Sequence, residues 1–214
     1  VEWYKRAAEN GSATVQLGLG LVYLHGKGVQ QNPEMGMIWL TRAGNQGNLD
    51  AMKLIALMYY SGDGVTQDYN NALVWYEKAA SEKDAFAQNR IGEIYRDGLG
   101  NQVDYKASIR FFKETAAQGY SDAQLNIGLR YFSGLGVRQN DKKAVSWIRR
   151  AASQDNPQAQ YALALAYAGG IGIHYDYNRA DDLIRKAEEN GIDGASEQRR
   201  LLEEERSARE ARRK

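Results

Sequence analysis

The stretch that decides the fold runs from Ala51 to Ala80, AMKLIALMYYSGDGVTQDYNNALVWYEKAA. Small and apolar residues recur at helical spacing up to Tyr59, Gly62 and Gly64 make a Gly-x-Gly turn, and Asp68 opens a second helix filled by Trp75, Ala79 and Ala80. A step of 36 residues finds the same pattern across the chain: Tyr23, Tyr59, Tyr95, Tyr131 and Tyr167, then the turn glycines Gly26, Gly62, Gly98, Gly134 and Gly170. The partner glycines Gly28, Gly64, Gly100, Gly136 and Gly172 and the aromatic column Trp39, Trp75, Phe111 and Trp147 keep that step, and Leu183 continues it. Trp3 is the same column one step earlier, which places Val1 inside a repeat and predicts that the chain is a fragment.

Each copy reads as two helices. The first opens at Ser12, Asn48, Asp84 or Asn156, whose side-chain oxygens suit the free amides of a first turn, with Pro157 one step inside. In the fourth copy the cap column holds Tyr120 next to Ser121, which predicts a start one residue late. The second opens at Asn32, Asp68, Asp104, Asn140 or Asp176. One stripe of the first helix is expected in the core: Val15, Leu19, Gly20 and Tyr23, and their equivalents such as Ala51, Ile55, Ala56 and Tyr59. The column of Gly20 and Ala56 stays small so that a neighbouring helix can approach. The aromatic column is expected to anchor the second helix, and Trp3, Ala7 and Ala8 to occupy core columns of the partial first copy.

The recurring string A-x-x-x-I/L-G/A-x-x-Y-x-x-G-x-G-V-x-x-D/N, followed by A-x-x-W-Y/L-x-K/R-A-A/G, resembles the Sel1-like repeat family, relatives of the tetratricopeptide repeats, over residues 1 to 191. The resemblance implies an all-α, right-handed α-solenoid, mostly bacterial, that binds other proteins and has no shared catalytic residue. It favours a periplasmic or secreted location. The expected organisation is a partial repeat over 1–11, five repeats over 12–191 and a charged capping helix or tail over 192–214, in one continuous body of about twelve helices.

Composition narrows the function. Lys and Arg total 28 against 27 Asp and Glu, so no basic field favours nucleic acid. No apolar run approaches the roughly 18 residues of a membrane-spanning helix. There is no cysteine, and the two histidines, His25 and His174, stand four repeats apart, which predicts no metal site and no cofactor. The glycine turns lack the preceding strand of a dinucleotide fingerprint. Cysteine-rich relatives associated with penicillin binding and hydrolysis suggest an enzyme as the alternative, and the absence of cysteine counts against it. The favoured reading is a monomeric, non-enzymatic scaffold for a protein or peptide partner, in an adaptor, host-interaction or toxin-immunity role.

Columns that vary from copy to copy are expected to face solvent. In the first helices these lie opposite the core stripe, on the face that lines the concave groove of tetratricopeptide-type stacks. The resulting partner-binding set is Leu17, Leu24, Lys53, Tyr60, Asn89 and Glu93, together with Arg96, Asp97, Leu125, Phe132 and Tyr161. A further column, Leu21, Leu57, Glu93, Leu129 and Leu165, is the one for which burial under the next repeat is the competing reading. Glu93 and Asp97, four apart, have the spacing for paired carboxylates, although an arginine with intrahelical ion pairs is the commoner outcome. After Gly191 the pattern breaks: Arg199 and Arg200 stand in the Leu/Ile and Gly/Ala columns, and Leu201-Leu202 is the only large apolar pair. This segment reads as a solvated cap, with recruitment through Arg206, Arg209, Arg212, Arg213 and Lys214 as the alternative.

Overall fold

The computed structural model of the chain describes residues 2–212. Twelve helices and no strand are found among them. The chain divides into two compact units, Val1–Asp104 and Tyr105–Lys214, where the sequence leads one to expect a single body. The first unit holds α1 (Glu2–Glu9), α2 (Ala13–His25), α3 (Pro33–Asn45), α4 (Leu49–Ser61), α5 (Tyr69–Ser81) and α6 (Ala85–Asp97). The second holds α7 (Tyr105–Ala117), α8 (Ser121–Ser133), α9 (Asp141–Ala152), α10 (Pro157–Gly169), α11 (Tyr177–Glu189) and α12 (Ala195–Arg212). The boundary falls inside the third copy, just after the helix whose apolar positions are taken by Asn89, Arg90, Glu93 and Arg96.

In each unit consecutive helices pack as antiparallel neighbours, and the glycine turn explains the close pairing. Gly26, Gly62, Gly98, Gly134 and Gly170 all sit at left-handed φ between 65° and 76°, as helix-ending residues that release the chain from the helix. The N–H of each second-helix cap then donates to the carbonyl of the tyrosine column, as from Asp68 to Tyr59 and from Asn140 to Tyr131, both at 2.9 Å. Asn32, Asp68, Asn140 and Asp176 also accept at their side chains from the backbone three residues on. The small column is needed as expected: a Cβ on Gly20 would lie 2.8 Å from Leu40 Cγ. Tyr120 does not delay its helix. Its backbone takes the same cap conformation as Asn48 and its carbonyl accepts from Gln124 N at 3.1 Å, so packing register prevails over the missing cap side chain. Ser12 likewise caps without a side-chain hydrogen bond.

The second-helix anchor is shifted by one residue from the sequence expectation. Leu40, Tyr76, Phe112, Ile148 and Ile184 are all fully buried, whereas Phe111, Trp147 and Leu183 are only half-buried. Trp39 and Trp75 are buried, Trp75 by lying against Gly44 of the preceding second helix. Their outer ring faces are covered by cations one turn on: Arg42 at 4.5 Å from the Trp39 centroid, Lys78 at 3.8 Å from Trp75 and Arg150 at 4.7 Å from Trp147. Trp3 departs from the expectation entirely at 81% exposed, because residues 2–9 supply only a second helix and no first helix to lie against it; Ala8 is buried.

Glutamine pairs tie neighbouring helices. Gln16 donates to Ala8 O at 2.9 Å and accepts from Gln46 at 2.6 Å, so one side chain links α1, α2 and the end of α3. Gln124 repeats the device between Ala116 O and Gln154 in the second unit. These bonds add a second donor to helix-end carbonyls that already accept from the backbone N–H of Gly11 and Gly119 at 3.1 and 3.0 Å.

The loop that ends each second helix needs a left-handed residue as well. Gly11, Gly47, Gly119 and Gly191 supply it, but Lys83 (φ 63°) and Asp155 (φ 57°) occupy the same column with side chains. Asp155 accepts a hydrogen bond from Gln160, and the exposed Lys83 has no such compensation in its loop. Lys83→Gly is therefore expected to raise stability by about 0.5–1 kcal/mol, relief of left-handed strain being partly offset by glycine's chain entropy. An unchanged or lower urea midpoint would contradict it.

α12 docks through Ala195 and Leu202, both buried, while Leu201 stays 45% exposed. Arg199 is not an obstacle: it bonds Asp181 at 3.1 Å and Glu188 at 3.4 Å on α11, and Arg206 lies 4.5 Å from the Tyr177 ring centroid. Charged residues thus hold the cap in place. The side chains of Arg209 and Arg212, and residues 213 and 214, lie outside the described residues.

Candidate partner-binding surface

The variable columns of the first helices do not behave alike. His25, Ser61, Asp97 and Ser133 are exposed or half-exposed at the helix ends, but Leu17, Leu24, Lys53, Tyr60, Arg96 and Phe132 are half-buried, as are Leu125 and Tyr161, and Asn89 is only 3% exposed. The cause is the neighbouring second helix. Leu24 covers Gly36, where a Cβ would lie 2.8 Å from its Cγ, and Tyr60 meets Tyr69 edge to face at 5.5 Å. Phe132, Leu125 and Tyr161 pack against the core of the second unit, and Tyr161 Oη comes within 3.7 Å of a Cβ position on Gly194. The column whose competing reading is burial under the next repeat is divided: Leu57 is 40% and Leu129 38% exposed, whereas Leu21, Glu93 and Leu165 are half-buried.

The third copy concentrates polar groups on α6. Asn89 donates to Glu93 Oε1 at 3.0 Å and Arg90 to Glu93 Oε2 at 2.8 Å, while Arg96 forks onto Asp97 at 2.7 and 2.6 Å. The hydrogen bonds to Asp97 hold Arg96 further into its charged range, ahead of the opposing effect of burial. Glu93 and Asp97 each pair with a different arginine, Arg90 and Arg96. Lys53 bridges Asp50 at 3.2 Å and Asp84 at 3.4 Å. Burial opposes its charge, and these two carboxylates outweigh that and raise its pKa. Arg90 was not singled out by the sequence columns, yet it organises this cluster, with its guanidinium 5.9 Å from the Tyr60 ring and 5.1 Å from Phe86. Its signal was a lone charge in a column otherwise holding Gly18, Leu54, Asn126 and Ala162.

Below this cluster Tyr76 carries a fully buried hydroxyl with no hydrogen-bond partner, in a column otherwise apolar. Burial pushes its pKa up to about 12 from an ordinary 10. Since the folded state holds the proton more tightly, the associated stability is complete below pH 10 and disappears as the pH rises from 10 to 12. Tyr76→Phe is expected to leave neutral-pH stability unchanged or slightly higher and to flatten this alkaline loss by one proton. Equal alkaline slopes for the two proteins in parallel urea titrations would contradict it.

Two wells open between successive first helices, at corresponding columns of the repeat. In the second unit a cavity of about 390 Å³ is lined by Leu129, Phe132, Ala162, Leu165, Ala166 and Ile171, with Gln139 and Asp141 also lining it. In the first unit Leu21, Leu24, Leu54 and Met58 line one of about 170 Å³ together with Pro33. The smaller volume follows from Leu54 standing where the other well has Ala162. At the same columns of the second and third copies, Tyr60 is met edge to face by Tyr69 and faced by the Arg90 guanidinium. Of the other cavities in the second unit, one is lined by Tyr131 and Val137 with Arg138, Gln139, Asn140 and Lys143, and another by Leu163, Tyr167 and Leu183 with Arg149, Arg179 and Asp182.

This geometry belongs to a known class. The Sel1 repeat model matches residues 1–12, 13–48, 49–84, 85–120, 121–156 and 157–192; the matches over 13–48, 49–84, 121–156 and 157–192 each coincide with a packed helix pair, and the match over 85–120 spans the boundary between the two units. The chain belongs to the Sel1 repeat family. A Sel1 repeat protein from Oxalobacter formigenes is 32% identical, with a TM-score of 0.80 over 87% of this chain and 76% of its own. A protective antigen of uropathogenic Escherichia coli with the same fold, c5321, is 31% identical with a TM-score of 0.59, over 91% of this chain and 49% of its own. The immunity protein Pa5087 of Pseudomonas aeruginosa shares the fold at 19% identity and a TM-score of 0.53, over 88% of this chain and 72% of its own. No curated relative matches the chain.

Proposed function

We propose that the chain is a non-enzymatic scaffold that holds a protein partner against the first-helix face, where apolar side chains remain open to solvent. The observation that carries this reading is the 390 Å³ well of the second unit, whose walls are mostly aliphatic or aromatic although it lies open on the surface. Leu129 and Ile171 at its edge are 38% and 48% exposed. The polar cluster of α6 offers the other kind of contact, a forked Arg96–Asp97 pair able to discriminate among charged partners. Adaptor, host-interaction and immunity roles all require such a surface. Membership of a repeat family built as a scaffold supports it, and no helix among the described residues is long and apolar enough to cross a membrane.

The half-burial of Phe132 and Tyr161 changes how the proposal is tested. Truncating either also loosens the core, so loss of binding would not isolate a contact. Leu129→Arg and Ile171→Arg place charge on exposed positions and are expected to abolish capture of the native partner with little change in melting temperature, since surface substitutions are near neutral. Ser146→Arg, exposed on the second helix α9, is the control and should bind normally. Normal capture by both well variants, with loss in Ser146→Arg, would place the surface on the second helices.

A further inference from the structure

Resting on that reading, we infer that the open wells take an apolar side chain from an extended segment of a protein partner, with lysine or arginine immediately beside it. The argument comes from what the two wells share. Each has an apolar floor and a single carboxylate among its lining residues: Asp141 in the second unit, Asp63 in the first. Neither well has a lysine or arginine in its lining. Lys142, next in the chain to Asp141, lines a separate cavity with Gly170, Gly172, Ile173 and His174.

The two carboxylates arrive by different routes. Asp141 stands in the column of Pro33, and Asp63 in the column of Ile171. The chemistry is therefore repeated where the sequence is not, which a simple copying of the repeat does not explain. Asp141 is half-buried at the first turn of α9, close to the apolar floor, where a cation is less screened than in open water. Its carboxylate accepts a long hydrogen bond from Gln139 at 3.4 Å, so acceptor capacity remains. An apolar side chain fills the floor and a neighbouring cation reaches the carboxylate; an acidic neighbour would meet repulsion. At the second and third copies the chain itself shows the same pairing, the Arg90 guanidinium lying over the Tyr60 ring and bonded to Glu93.

The test uses the full chain and four synthetic nonapeptides on a Gly-Ser background, with central triplets Lys-Leu-Lys, Ser-Leu-Ser, Glu-Leu-Glu and Lys-Ser-Lys. Methyl shifts of Leu129, Leu165 and Ile171 report occupancy of the well. Lys-Leu-Lys is expected to bind about fivefold or more tighter than Glu-Leu-Glu at low salt, with Ser-Leu-Ser between and Lys-Ser-Lys moving none of the three methyls. Asp141→Lys should reverse the order of Lys-Leu-Lys and Glu-Leu-Glu. Ala162→Leu, which copies the narrower first-unit well, should weaken all leucine peptides alike. If the leucine peptides all bind equally, or if the basic preference survives Asp141→Lys, the charge inference is overturned and the scaffold reading stands. If no peptide moves the methyls, the well is not a docking site and the inference fails along with the role assigned to this well.

Discussion

Gly136→Val is expected to destabilise the second unit by about 3–5 kcal/mol, adding left-handed strain to a steric overlap with backbone. Gly136 sits at φ 76°, and a Cβ there would lie 2.7 Å from the carbonyl oxygen of Tyr105 and 2.8 Å from its Cβ. The start of the preceding second helix rests directly on the turn, so neither partner can yield without moving a helix. Gly134, two residues earlier, has a similar φ of 72°, but its added Cβ would be no closer than 3.4 Å to Gln139. Gly134→Val should consequently cost only the strain, about 1–2 kcal/mol. Chemical denaturation of both variants checks the order, and an equal or greater loss at Gly134 would show that the turn's closeness to α7 is not what demands glycine.

The second large effect separates two adjacent phenylalanines. Phe112 is fully buried and packs with Ala116, Ala123 and Ile127, so Phe112→Ala should cost about 3–5 kcal/mol. Phe111 is half-buried, and Arg110 lies 5.1 Å from its ring centroid. Its truncation should cost less than half as much, because much of that ring is already in contact with water or a cation stem. Equal losses from the two truncations would restore the aromatic column as the anchor.

That pair also shows where the sequence was informative and where it was not. The 36-residue step, the turn glycines and most of the capping residues were legible, because each depends on local backbone chemistry; Tyr120 was the exception, where packing register starts the helix without a cap side chain. The anchor was misplaced by one column. Size drew attention to Trp39, Trp75 and Trp147, yet Leu40, Tyr76, Phe112 and Ile148 point more directly inward. Adjacent residues on a helix differ by about 100°, and both columns are apolar, so periodicity alone cannot rank them. The binding face was half legible. Variation among copies drew attention to the first helices, but Leu24 and Tyr60 are covered by packing against α3 and α5, a relation that within-copy variability does not encode. Arg90 and the Gln16–Gln46 bond depend on residues from different helices meeting, and no single column announces them.

The central claim, that a protein partner is held against the first-helix face, is tested most directly by site-specific photocrosslinking in the native host. A photoreactive amino acid is placed at Leu129 in the open well, and separately at Ser146 on α9. A discrete adduct from position 129 that disappears when Ile171→Arg is added, with none from position 146, is the result the structure leads us to expect. An adduct from position 146 alone would contradict the claim and move the binding surface to the second helices.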